Sequence, residues 1–251
     1  MISRFTNSET LPRTRLAHVL FPLFLLLCIP ATVVAAPGGA KLSGKVTLNG
    51  ALAKPKALDL SKEPACTQMH VNNPLVSESL IVGPGNAVRN VVVYISAGAP
   101  YPGPVPSAPV LFDQHGCQYT THVLAFRAGQ EVKISNSDPF AHNIHPLARV
   151  NREWNKLQPA GTPPFAYSYE NEEFIAVKCN IHPWMQGYFA VLRTPYFAVT
   201  GDDGSFSLGD LPPGRYTITA WHETLGTRSQ EIEINSSGEP QTLNFTFTVK
   251  P

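Results

Sequence analysis

Cys179, His182 and Met185 stand at three-residue intervals in "VKCNIHPWMQGYFAV" (177–191), where a run of alternating apolar residues ends. A thiolate, an imidazole and a thioether on one short loop form a metal-ligand set, in a chain with only four cysteines, three methionines and eight histidines. A second imidazole lies upstream. In "RAGQEVKISNSDPFAHNIHP" an alternating segment, "EVKISN", runs from a turn toward His142. Two imidazoles and a thiolate with a weak axial thioether suit copper: sulfur donors hold Cu(I), imidazole accepts both oxidation states, and a trigonal site needs little rearrangement when one electron moves. Zinc would accept Cys179, His142 and His182 in a tetrahedral site, but has no use for Met185.

Strands must position these groups. Alternating or continuous apolar runs bounded by turn residues mark "KLSGKVTL", "RNVVVYISA", "HVLAFRA", "EVKISNS", "FAYSYE", "EFIAVKC", "YFAVLRT", "SFSLGD", "RYTITAWH", "QEIEIN" and "TLNFTFTVK". No helical pattern longer than two turns competes with them, and Pro and Gly are scattered between the runs, so the chain reads as all-β. Residues 1–35 read as a secretory signal peptide. Arg4, Arg13 and Arg15 precede a short apolar stretch that is interrupted by Pro22 and Pro30 and ends in small residues, with cleavage expected after Ala35. The expected location is therefore the periplasm or the medium. The roughly 215 residues that follow suit one large or two small domains. They contain no further membrane-length apolar run, and a formal net charge of +1 offers no nucleic-acid surface.

The two segments "GQEVKISNSDPFAHNIH" and "VKCNIHPWMQGYFAV" together resemble the cupredoxin family. The Cys-x-x-His-x-x-Met loop is similar to the short ligand loop of its amicyanin and pseudoazurin branch. The resemblance covers roughly residues 109–193 and implies a Greek-key copper domain over 105–193. It implies one copper ion cycling between Cu(I) and Cu(II), held by His142, Cys179, His182 and Met185. Asn143 matches the asparagine that ties the two ligand loops together near the sulfur. Trp184 stands where the family has phenylalanine. The implied function is one-electron transfer as a type 1, or blue, copper protein, with a redox partner protein and no bond-making reaction. The alternative is copper handling, or a structural role without redox turnover. The short loop further implies that His182 lies near the surface. His145 is a rival for His142, and His70, His115, His122 and His222 could contribute to a second metal site. No His-x-His pair of a multicopper oxidase occurs, nor a His-x-x-Glu or Gly-x-Ser-x-Gly motif.

Cys66 and Cys117 are the other cysteines beyond the leader. In an exported chain the expectation is a disulfide between them; the alternative is a Cu(I) site built from Cys66, Met69, His70, His115 and Cys117. Past residue 193, "AVTGDDGSFSLGDLPPGRYTITAWHETLG" resembles the carboxypeptidase regulatory-like (transthyretin-like) β-sandwich. Asp203-Gly204 make a tight turn, Phe206 and Leu208 alternate inward, and Pro212, Pro213 and Gly214 set the next turn before Tyr216. That segment begins in the middle of the family's pattern. Its missing first strands match "LSGKVTLNGALAKP" and "RNVVVYISAG", so residues 36–104 and 194–251 are expected to form one discontinuous sandwich with the copper domain inserted. The alternative is tandem order, with 36–193 as one enlarged copper domain.

Overall fold

The computed structural model describes residues 39–50, 55–99 and 103–249, so the leader lies outside the described residues. The strands in chain order are β1 (Ala40–Asn49), β2 (Val92–Ala97), β3 (Val110–Gln114), β4 (Val123–Arg127), β5 (Glu131–Asn136), β6 (His142–Pro146), β7 (Lys156–Gln158) and β8 (Phe165–Ser168). They continue with β9 (Glu173–Lys178), β10 (Gln186–Leu192), β11 (Phe197–Val199), β12 (Ser205–Leu211), β13 (Gly214–His222), β14 (Gly226–Ile234), β15 (Gln241–Thr242) and β16 (Phe245–Thr248). One α-helix, α1 (Pro64–Met69), interrupts them, with proline in its first turn. The protein is all-β, and among the described residues no helix is long and apolar enough to cross a membrane.

Four sheets stack into two sandwiches. In the first, β12-β1-β15, with β16 also on β1, faces β11-β2-β13-β14. Strand β1 runs antiparallel to β12, pairing Gly44 with Phe206, and parallel to β16, pairing Val46 with Phe245. Strand β2 pairs antiparallel with β13. Both partners of each pair come from opposite ends of the chain. Leu42, Val46 and Leu48 from β1 meet Tyr216, Ile218 and Ala220 from β13 in one buried core, as the period-2 alternation of both strands requires. The Asp203-Gly204 turn has Gly204 in the left-handed region at φ +68°, where its carbonyl accepts the N–H of Val46 at 2.8 Å and a side chain would strike Val46.

In the second sandwich β4-β10-β9-β6-β7 faces β3-β5-β8 around Phe112, Phe126, Ile134, Tyr169, Ile175 and Phe189. The two sandwiches share a further apolar layer, in which Val92 and Trp221 meet Val123, Ala190 and Leu192. This layer explains the unbroken apolar runs "NVVVYIS" and "YFAVL". Val93 and Ile95 fill the first core while Val92 and Tyr94 face the shared layer; Phe189 and Val191 fill the second core while Ala190 and Leu192 face the shared layer. A strand covered on both faces has no position left for a polar residue.

A fourth, smaller layer comes from the irregular segment after β1. Leu60, Cys66 and Leu75 pack with Cys117, Phe140 and Trp184, and Cys66 is bonded to Cys117 in a disulfide with S–S 2.07 Å. The two sulfurs are thus consumed in a covalent bond, which removes the five-residue Cu(I) site as an alternative. Met69 of that set is 44% exposed.

Candidate metal centre

Two neighbouring segments of one sheet bring the donors together. Strand β6 pairs with β9 at His145–Lys178 and Pro146–Val177, which sets His142 at the start of β6 beside the loop that leaves β9. That loop, residues 179–185, is closed by its own backbone. The N–H of Cys179 donates to the Met185 carbonyl at 3.1 Å, and the N–H of Met185 donates to the His182 carbonyl at 2.9 Å. The Lys178–Gln186 pair of the β9–β10 ladder clamps its ends.

Within this frame Nδ1 of His142 and Nδ1 of His182 approach to 2.9 Å, and Nδ1 of His182 lies 3.6 Å from Sγ of Cys179. The three donor atoms all lie within 4.8 Å of one another, in the one such group among the described residues. Cys179 carries a free, buried thiol that accepts the N–H of Asn143 at 3.3 Å and of His182 at 3.4 Å. Met185 is buried in the same core at the end of the loop. Asn143 joins the two segments a second time: its Oδ1 accepts the N–H of Asn180 at 3.1 Å, and its amide nitrogen donates to Asn155.

Both imidazoles are held below their ordinary titration range. For His142 the cause is burial, opposed by the carboxylate of Asp138; for His182 it is burial, reinforced by the nearby His142. Rings that stay neutral offer a lone pair, the state a metal ligand requires. Asp138 itself is wholly buried, yet its carboxyl is lowered. Burial pushes it up, and hydrogen bonds from the Cys117 N–H, His142 and the Gly116 N–H outweigh that. Sequence reasoning misses this residue, and the one signal that could have found it is its place four positions ahead of His142.

His182 is 2% exposed, which overturns the expectation of a surface imidazole. Its ring packs against Trp184 at 5.3 Å and Phe140 at 6.2 Å, and these two aromatics join the disulfide-bearing layer. Trp184 locks the contact by donating its indole N–H to the Cys117 carbonyl at 3.0 Å. The spacing of the loop carries no information about a layer supplied by residues a hundred positions away.

The remaining histidines among the described residues have other neighbours. His145 faces Asn180 and Glu153, and His70 faces the carbonyls of Asn73 and Gly116. His115 is mostly exposed and lies 3.4 Å from Asp138. His122 sits against Glu223 and near Glu78. His222 accepts the N–H groups of Thr224 and Leu225, and burial depresses it to about 4.

No family model matches the sequence, and no relative among curated proteins matches it. Among solved structures the chain is similar to a mutant of amicyanin in its Cu(I) form, with 21% identity and a TM-score of 0.30 over 40% of this chain and 98% of that one. It is similar to amicyanin from Paracoccus versutus, with 17% identity and a TM-score of 0.31 over 40% of this chain and 97% of that one. A copper-containing nitrite reductase from Thermus scotoductus SA-01 shows 18% identity and a TM-score of 0.33, over 39% of this chain and 25% of that one.

Proposed function

We propose that the protein is an exported mononuclear copper protein that carries one electron at a time. The observation that supports this most is the buried trio of His142, His182 and Cys179, with one donor atom of each within 4.8 Å of the others. The donor set is two borderline nitrogens and one soft sulfur, which fits copper better than a hard cation. When bound, copper supplies a one-electron couple between Cu(I) and Cu(II). The chain's own part is to hold the thiolate with two N–H groups, keep both rings neutral and exclude water. Met185, buried where the loop closes, would be a fourth residue holding the ion in this reading. No bond-making reaction is assigned, and the electron is exchanged with a partner protein. Residues 1–35 act as a signal peptide, and residues 36–104 with 194–251 form one domain into which 105–193 is inserted; the pairing of β1 and β2 with β12, β13 and β16 supports that division.

A second reading, copper held or delivered without redox turnover, gains support from the cover over His182, which removes an exposed edge for electron exchange. Adding Cu(II) to the metal-free protein separates the two. Electron transfer predicts an intense visible band that bleaches with ascorbate and returns with an outer-sphere oxidant such as ferricyanide. A bound ion that gives no such band, or cannot be cycled, favours handling. The Cys179→Ser variant is expected to lose the band while keeping its all-β circular dichroism, and a retained band would overturn the thiolate assignment.

A further inference from the structure

Asp138 lies on the turn between β5 and β6 with its side chain fully buried. Both of its oxygens face donors. Oδ1 accepts the N–H of Gly116 at 2.7 Å and lies 3.4 Å from Nδ1 of His115. Oδ2 accepts the N–H of Cys117 at 2.9 Å and meets Nε2 of His142 at 2.7 Å. Gly116 and Cys117 both adopt left-handed backbone, φ +66° and +57°, and both point their N–H groups at this carboxylate. A non-glycine residue in that region persists only when its surroundings over-determine it, and the bond to Asp138 and the disulfide do so here.

An ionised carboxylate only accepts hydrogen bonds, so each of its polar neighbours must supply a hydrogen. The backbone amides always do. His142 does so only when Nε2 carries the proton, and in a neutral ring the lone pair then resides on Nδ1. Nδ1 is the atom that faces His182. We propose that Asp138 is a positioning residue for the metal centre: through Nε2 it fixes the tautomer of His142, leaving Nδ1 as the ligand atom, while its other contacts hold the Gly116–Cys117 turn in place. The proposal rests on the copper reading above. A carboxylate behind a ligating imidazole also raises the basicity of the ring, and its negative charge favours the more positive oxidation state of the ion.

The simplest competing account is that Asp138 only pins the turn. Asp138→Leu separates the two, because it leaves Nε2 of His142 with no oxygen to hold its proton. Long-range ¹⁵N–¹H correlation on the metal-free protein near pH 7.5 is expected to show His142 as Nε2–H; His142 found as Nδ1–H would overturn the proposal even if no variant folds. In Asp138→Leu the pure Nε2–H signal of His142 should be lost. Cu(I) affinity, read by competition with a chromophoric chelator, should then fall about 10- to 100-fold, with a raised reduction potential. His115→Ala, which removes the exposed partner of Oδ1, should change neither. A variant that loses stability but keeps the tautomer and the affinity would show that Asp138 serves the turn alone. Failure of the wild-type protein to bind copper would defeat the copper reading only, since the tautomer is read without metal.

Discussion

Met185 is buried at the close of the ligand loop, and Met185→Gln is expected to keep copper while lowering the potential, because a harder oxygen favours Cu(II) over Cu(I). Voltammetry reads this directly, and an unchanged potential would make Met185 a packing residue. His222, equally buried, concerns the fold instead. Burial lowers it from 6.5 to about 4, with His122 adding to the shift and Glu223 opposing it. Between those values the unfolded chain binds a proton at this site that the folded chain does not, so stability is full above pH 6.5 and falls as the pH drops toward 4. The loss amounts to roughly 3 kcal/mol from this one ring. His222→Asn offers an oxygen to the same two N–H groups, and its urea midpoint should fall less steeply over that range. Equal slopes in both proteins would assign the acid sensitivity to other groups.

At the scale of elements, legibility depended on whether one face of a strand meets water. Strands such as β13, with Tyr216, Ile218 and Ala220 alternating inward, were legible in the sequence, and so was the Asp203-Gly204 turn. Three-residue strands such as β7 and β11 were not, because too few positions exist to show a period. The segment "HNIHP" shows no strand pattern in the sequence and is strand β6, because its pairing with β7 and β9 overrides a polar composition. The grouping of His142, Cys179 and His182 was readable from residue types, whereas Asp138 and the cover were not, since the irregular segment shows no period and takes its place from the disulfide, from packing on Trp184 and from the His70–Gly116 contact. One glycine makes an element-level prediction. In β1 a Cβ on Gly44 would lie 1.7 Å from the Leu243 carbonyl and 2.9 Å from the ring of Phe206. Gly44→Ala should therefore push β1 away from its neighbours and cost about 2–4 kcal/mol, measured by chemical denaturation. A loss below about 0.5 kcal/mol would mean that the backbone following Leu243 gives way freely.

For the whole molecule the shared apolar layer matters most, since Val92, Val123, Ala190 and Leu192 make each sandwich part of the other's burial. Residues 36–251 accordingly pack as one unit. The disulfide adds a constraint of another kind. It joins positions 51 apart, and closing a loop of that length stabilises the fold by about 4 kcal/mol on the chain-entropy estimate. In denatured, metal-free protein lacking residues 1–35, alkylation should label Cys179 alone, and three labelled thiols would reject the bond. The layer it fastens also sits between the ligands and the solvent, which turns biogenesis into a matter of sequence in time. If the site holds copper as proposed, a chain that meets the ion before its thiols oxidise is expected to load faster than one oxidised first, whose cover must open to admit it. Two pools of identical composition can therefore differ in metal content according to which encounter came first, and replacing both Cys66 and Cys117 by alanine should erase that history by letting uptake proceed at one fast rate.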